Sequence, residues 1–72
     1  MKRGEAVALL KELGGLGLIK PSLALIEQRK PDDYQLCFKG DYDLNEIESF
    51  LKKYNLSYEE DLTRGYLCIF KP

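Results

Sequence analysis

The sequence predicts an α+β fold, a two-layer sandwich in which two helices lie on one face of a four-stranded, mainly antiparallel sheet. Two stretches have apolar residues at helical spacing, four short runs have β-type residues, and their order is helix, hairpin, helix, hairpin. The 72 residues are predicted to form one domain, residues 1–72. A chain of this size buries only about 60% of its unfolded surface, so we expect a small margin of stability.

The first helix is predicted at residues 4–13, where alanine and leucine recur on one side and Lys11 and Glu12 lie on the other. Gly14 follows directly, and glycine is the usual residue in the left-handed conformation that closes a helix. We therefore expect Gly14 to end the helix and the glycine-rich stretch up to Pro21 to form a connector.

The first hairpin is predicted from two β-type runs, residues 22–29 and 34–39. Between them lies Lys-Pro-Asp-Asp, residues 30–33, in which proline fixes φ and aspartate side chains can bond back to the backbone. The sequence therefore predicts two antiparallel strands that are joined by a turn.

The second helix is marked by an apolar stripe at Leu44, Ile47, Leu51 and Tyr54. Two lysines follow in the last turn, where positive charge suits the negative end of the helix dipole. We expect Asn55 to end this helix, and we expect the ring of Tyr54 to pack inward with the rest of the stripe.

The second hairpin is predicted from residues 56–61 and 66–71, with Gly65 supplying the positive φ that a tight loop often needs. Tyr58 is in phase with the apolar positions of its strand, so we expect its ring to pack inward. The order of elements resembles a ferredoxin-like βαββαβ chain whose first strand has moved to its end. This likeness concerns topology alone, and topology does not assign a function.

The composition limits the partners and location that we predict. The formal net charge is -1, and residues of both signs are interspersed, so no basic patch for a nucleic acid is expected. The apolar run at residues 6–10 is too short for a secretory segment, and no run approaches the length that crosses a bilayer. We therefore predict a cytoplasmic protein with no membrane partner.

The chain has two cysteines and no histidine. Cys37 and Cys68 lie far apart, outside any C-x-x-C spacing, so we predict free, partly buried thiols; a disulfide would require their strands to be neighbours. The absence of histidine removes the commonest general base and the commonest transition-metal ligand. Without histidine the chain has no Ser-His or Cys-His pair of nucleophile and base, so we predict that the protein is not an enzyme.

One acidic stretch has two interpretations. Asp41, Asp43 and Asn45 fit the first three ligand positions of an EF-hand loop, but Glu46 and Lys52 stand where that loop needs glycine and glutamate. We therefore predict that Asp43 caps the second helix and that the Glu46 side chain reaches back to the Asp43 N–H in a capping box. The alternative is a weak calcium or magnesium site formed by Asp41, Asp43, Asn45 and Glu46, which is the only cofactor that the sequence suggests.

A second motif lies in the last strand. Residues 63–70 resemble in part the aromatic strand signature of RNA recognition motifs, because Arg64, Gly65, Tyr66 and Ile69 match it. This resemblance implies that Arg64 would contact phosphate and that Tyr66 would stack on a base of single-stranded RNA. A hairpin turn followed by a core strand explains the same residues.

Taken with these limits, the fold predicts a small non-enzymatic binding module that acts through protein–protein interaction or self-association. A four-stranded sheet has two edge strands, and so short a chain has no spare segment to cover them. The partner is an unknown protein or a second copy. Weak divalent-cation binding and single-stranded RNA binding are the alternatives.

Overall fold

The structure is a computed structural model, and it describes residues 1–72. It contains two helices and four strands in the predicted order, with a single 3₁₀ turn at Pro21–Leu23 before the first strand. The elements are α1 (Arg3–Gly15), β1 (Ala24–Lys30), β2 (Asp33–Phe38), α2 (Leu44–Lys53), β3 (Ser57–Asp61) and β4 (Tyr66–Phe70).

The four strands form one antiparallel sheet in the order β1-β2-β4-β3. The two strands of each hairpin are neighbours in the sheet. Helix α2 carries the chain from the first hairpin to the second, so that β2 and β4 pair in the middle. Leu36 lies opposite Ile69 and Phe38 opposite Leu67 in this central pair. The predicted α+β class is confirmed, whereas its relation to a permuted ferredoxin-like chain stays a prediction.

Both helices cover the same face of the sheet, which confirms the two-layer arrangement. Their apolar side chains and those of the central strands form one hydrophobic core. The core has no buried charged side chain. Its buried residues are Met1, Ala6, Leu9, Leu13, Ile19, Leu36, Phe38, Ile47, Phe50, Leu51, Leu67 and Ile69.

The end of α1 differs from the prediction. Gly14 is helical, and the left-handed residue is Gly17, at φ 73°. The Leu18 N–H donates to the Leu13 C=O at 3.0 Å, and the Gly17 N–H donates to the Gly14 C=O at 3.1 Å, which is a Schellman motif. Gly14 has a different role, because a Cβ there would lie 2.7 Å from Cγ of Pro21. It lets the connector pack against the helix.

The two tyrosines expected to pack inward behave differently. Tyr58 packs against the core as predicted. The prediction for Tyr54 is wrong, because its side chain is 48% exposed. The Tyr54 ring lies 4.9 Å from that of Phe50, and its hydroxyl donates to Glu12 Oε1 at 3.2 Å. Asn55 ends α2 as predicted, in the left-handed conformation at φ 54°.

Candidate functional site on the open face of the sheet

The face of the sheet that the helices leave uncovered carries most of the chemistry of this chain. Side chains alternate between the two faces of a strand, so the residues beside those of the core point to the opposite side. We call this side the open face. The register places Leu25, Glu27, Arg29, Gln35, Cys37, Ser57, Glu59, Asp61, Tyr66, Cys68 and Phe70 on it, and Arg64 reaches over them from the β3–β4 loop.

The centre of the open face is a disulfide bond between Cys37 and Cys68. The two residues lie directly opposite each other on β2 and β4, with their Cα atoms 4.0 Å apart. They are 0% and 2% exposed. The prediction of free thiols is therefore wrong, because the sheet order makes their strands neighbours and the register makes the two residues partners.

A salt-bridge network crosses the open face beside the disulfide. Both terminal nitrogens of Arg64 donate to the carboxylate of Glu27, at 2.6 and 2.8 Å, and its Nε donates to Asp61 Oδ2 at 2.6 Å. These hydrogen bonds from Arg64 lower the pKa of Glu27 and the pKa of Asp61. They also raise the pKa of Arg64. Three elements of the chain, β1, β3 and the β3–β4 loop, are thus joined by charge.

Cations cover the aromatic rings of the open face. The guanidinium of Arg29 lies 4.0 Å from the centre of the Phe70 ring. The guanidinium of Arg64 and the ammonium of Lys39 lie 5.3 and 5.4 Å from the centre of the Tyr66 ring. The structure therefore brings together the predicted nucleic-acid residues, Arg64 and Tyr66. The Arg64 donors, however, already bond to two carboxylates.

Polar groups from β1 and β2 complete the centre of the open face. Glu27 Oε1 accepts a hydrogen bond from Gln35 Nε2 at 3.1 Å and lies 3.4 Å from Cys37 Sγ. Gln35 Oε1 is buried and has no hydrogen-bond partner. Glu27 and Gln35 were not predicted from the sequence, in which their only signal is that they alternate with apolar residues in strands of the first hairpin.

The acidic stretch at residues 41–46 caps α2. Asp43 Oδ1 accepts hydrogen bonds from the N–H groups of Asn45 and Glu46 at 2.9 and 3.3 Å, as predicted for an N-cap. The predicted capping box is wrong, because the Glu46 side chain makes no hydrogen bond to the Asp43 N–H. Asp41, Asp43 and Glu46 do not bring three ligand atoms within 4.8 Å of one another; Glu27, Cys37 and Cys68 do. The cation site at Asp41, Asp43, Asn45 and Glu46 stays a prediction.

We expect Asp43→Ala to lower the free energy of unfolding by about 1 kcal/mol, because two N–H groups at the start of α2 lose their acceptor. Asp41→Ala is the matched control and is expected to cost little, since Asp41 is exposed and outside the cap. Denaturant unfolding of both variants, with and without calcium, is the measurement. Equal losses in the two variants, or a loss seen only with calcium, would assign the stretch to a cation instead.

A shallow groove of about 310 Å³ lies between α1 and the end of β4. Its polar lining residues pair with each other: the Tyr54 hydroxyl donates to Glu12, and Lys71 Nζ lies 3.8 Å from Glu5 Oε2. The negative charge of Glu12 raises the pKa of Tyr54, so the hydroxyl keeps its proton near neutral pH. The groove therefore offers no activated nucleophile beside a base.

The sheet has one free edge on each side. β1 pairs only with β2, and β3 pairs only with β4. The Lys39 N–H donates to the Leu23 C=O at 3.1 Å, and bonded and non-bonded pairs alternate along an antiparallel ladder. From this alternation we derive which backbone groups point away from the sheet. On β1 these are the N–H and C=O groups of Ala24, Ile26 and Gln28, which we call the β1 edge. On β3 they are those of Tyr58 and Glu60, which we call the β3 edge.

Two further findings bear on the function of this chain. Neither helix combines the length and the apolar character that crossing a membrane requires. Comparison with protein-family models, with curated proteins and with solved structures found no match to this chain.

Proposed function

We propose that this chain is a non-enzymatic binding module of the cytoplasm that acts through protein–protein interaction, by accepting a strand from a second copy or from a partner protein at a free edge of its sheet. The observation that carries the proposal is that β1 and β3 each pair on one side only. A row of unpaired N–H and C=O groups is a template for a further strand.

The edges support this proposal better than the open face does. The aromatic rings there lie under Arg29, Arg64 and Lys39. A docking partner would have to displace these cations and break the pairing of Arg64 with Glu27. An added strand needs no such change, because the outward backbone groups of the edge strands have no partner in the ladders; the exception is the Ala24 N–H at the start of β1, which donates to the Pro21 C=O.

Charge makes the two edges suited to different partners. β3 ends in Glu59, Glu60 and Asp61, so an antiparallel copy of β3 would place carboxylates beside carboxylates. This arrangement disfavours self-pairing and favours a partner strand with basic residues. β1 has residues of both signs, with Glu27 already bonded to Arg64, so an antiparallel copy of β1 meets less repulsion than a copy of β3 does. We therefore assign self-association to the β1 edge.

Sedimentation velocity over a range of concentrations tests this assignment. We expect the wild type to self-associate and Gln28→Pro to be monomeric, because proline removes an outward N–H of the β1 edge without removing a bond inside the sheet. Glu60→Pro makes the same change at the β3 edge and should associate as the wild type does. Circular dichroism melts establish that both variants fold.

Two results would overturn the proposal in different ways. A wild type that stays monomeric up to about 1 mM, a weak affinity even for transient complexes, would remove self-association. Capture of the same proteins from the native extract by the wild type and by both edge variants would remove strand addition as the mode of binding. Loss of a captured protein in Glu60→Pro alone would assign that partner to the β3 edge.

The alternatives stay predictions with less support. RNA binding at Arg64 and Tyr66 would require the Arg64 guanidinium to exchange two carboxylates for phosphate, and the open face has acidic residues of its own. Calcium or magnesium binding at residues 41–46 would have to use an Asp43 carboxylate that already caps a helix. An enzymatic role has no support in the groove beside α1, where each ionisable group is paired with another.

A further inference from the structure

The centre of the open face holds two sulfurs beside the Glu27 carboxylate, which also belongs to the salt-bridge network. Cys37 Sγ, Cys68 Sγ and a carboxylate oxygen of Glu27 all lie within 4.8 Å of one another. They come from three neighbouring strands, β2, β4 and β1, so the sheet itself holds them together. Two sulfurs and one oxygen are the ligand types and number of an open zinc site, although the two sulfurs are bonded to each other here and would move apart on reduction.

We propose that the reduced form of this protein binds one Zn²⁺ ion through the thiolates of Cys37 and Cys68 and the carboxylate of Glu27. The oxidised form has a disulfide in the same place, so the two cysteines have two exclusive states. Which state exists depends on the redox poise around the protein, since disulfides do not persist in reducing compartments.

Reduction of the disulfide precedes metal binding. A dithiol reductant supplies two electrons that break the bond between the Cys37 and Cys68 sulfurs, and two protons that form the two thiols; the reductant leaves as its own disulfide. Zn²⁺ then takes the place of the two thiol protons, which are released to solvent, and two Zn–S bonds form. Glu27 binds as a carboxylate and releases no proton.

The groups around the ligands suit a bound cation. Arg64 donates to both oxygens of Glu27 and would orient this ligand, as outer partners of metal ligands commonly do. Two thiolates and Glu27 exceed the charge of Zn²⁺ by one negative charge, and Arg64, which is shared with Asp61, lies beside them. Both sulfurs are almost fully buried, so the site is shielded from competing water.

Gln35 lies beside the same ligand set and has one buried oxygen without a hydrogen-bond partner. Gln35 lies opposite Glu27 in the sheet, and its Nε2 already bonds to that carboxylate. Its Oε1 is buried without a partner, which costs free energy in a chain that otherwise satisfies its buried side chains. A water in the fourth position of a zinc ion would give this oxygen a donor.

Titration with Co²⁺, a spectroscopic substitute for Zn²⁺, tests the proposal. We expect protein reduced with a phosphine to bind one Co²⁺ per chain with a thiolate-to-metal charge-transfer band, and Zn²⁺ to displace it. The oxidised protein should show no band. Glu27→Gln should weaken Co²⁺ binding about tenfold or more. Glu59→Gln is the matched control, because Glu59 lies opposite Cys68 on β3 but is outside the ligand set.

Three outcomes would overturn the proposal. The first is the absence of a band in reduced protein that circular dichroism shows to be folded. The second is equal Co²⁺ affinity in Glu27→Gln and the wild type, which would leave the thiolates alone as ligands. The third applies if the reduced chain unfolds without metal. Zn²⁺ should then restore its structure and raise its melting temperature by mass action, and a reduced chain that stays unfolded with Zn²⁺ would exclude the site.

Discussion

Replacing Cys37 and Cys68 together by alanine is expected to lower the free energy of unfolding of the oxidised protein by about 3–4 kcal/mol. The disulfide joins residues that are 31 positions apart. A bridge across a loop of this length removes chain entropy from the unfolded state, and the bridged residues also link the two hairpins through the central strands. A domain of this size has a total stability of only about 5–10 kcal/mol, so the loss is a large share of it.

Urea denaturation of the double variant, compared with oxidised wild type, measures this effect. Wild type in the presence of a phosphine reductant is the matched control, because it loses the bridge and keeps the sulfur atoms. The two losses should agree within about 1 kcal/mol, the difference that a sulfur-to-hydrogen change makes in a packed site. A reductant that leaves the stability unchanged would mean that the cysteines were not bridged, and intact-mass measurement would reveal the same.

The elements of the fold could be predicted because each has a local cause. α2 begins at Asp43, whose carboxylate caps it, and its stripe at Ile47 and Leu51 faces the core. The strands follow from short β-type runs between turn residues. None of these features depends on which distant segments meet. Their order then left few ways to bury both helices, which is why the two-layer class was correct.

The parts of the site that the sequence did not predict depend on contacts between distant residues. The cysteines pair only because β2 lies beside β4, strands that are not consecutive in the chain. Glu27 becomes a candidate ligand because Arg64, 37 residues away, holds its carboxylate beside Cys37. In sequence, the same glutamate is one of the polar residues that alternate along a strand. Gly14 is likewise explained by its contact with Pro21 and not by its own φ.

The second large effect is expected at Gly40, in the turn between β2 and α2. Gly40 has φ 101°, in the region that side chains rarely adopt, and a Cβ at this position would lie 2.8 Å from Cδ1 of Leu23. Gly40→Ala therefore adds backbone strain, and the end of the half-buried Leu23 side chain must turn aside for the methyl group, so we expect a loss of about 1.5–3.5 kcal/mol. Urea denaturation measures it.

Two further variants separate these causes. Gly65 also has a positive φ, 77°, but no atom lies within 4 Å of the position of its Cβ. Gly65→Ala should therefore show the backbone strain alone, about 1–2 kcal/mol. In the Leu23→Ala background the overlap at Gly40 is removed, so the cost of Gly40→Ala should fall to that of Gly65→Ala. A double-mutant cycle between Leu23 and Gly40 then has a coupling of about 0.5–1.5 kcal/mol, the cost of turning the Leu23 side chain aside, and a coupling near zero would mean that this side chain turns aside freely.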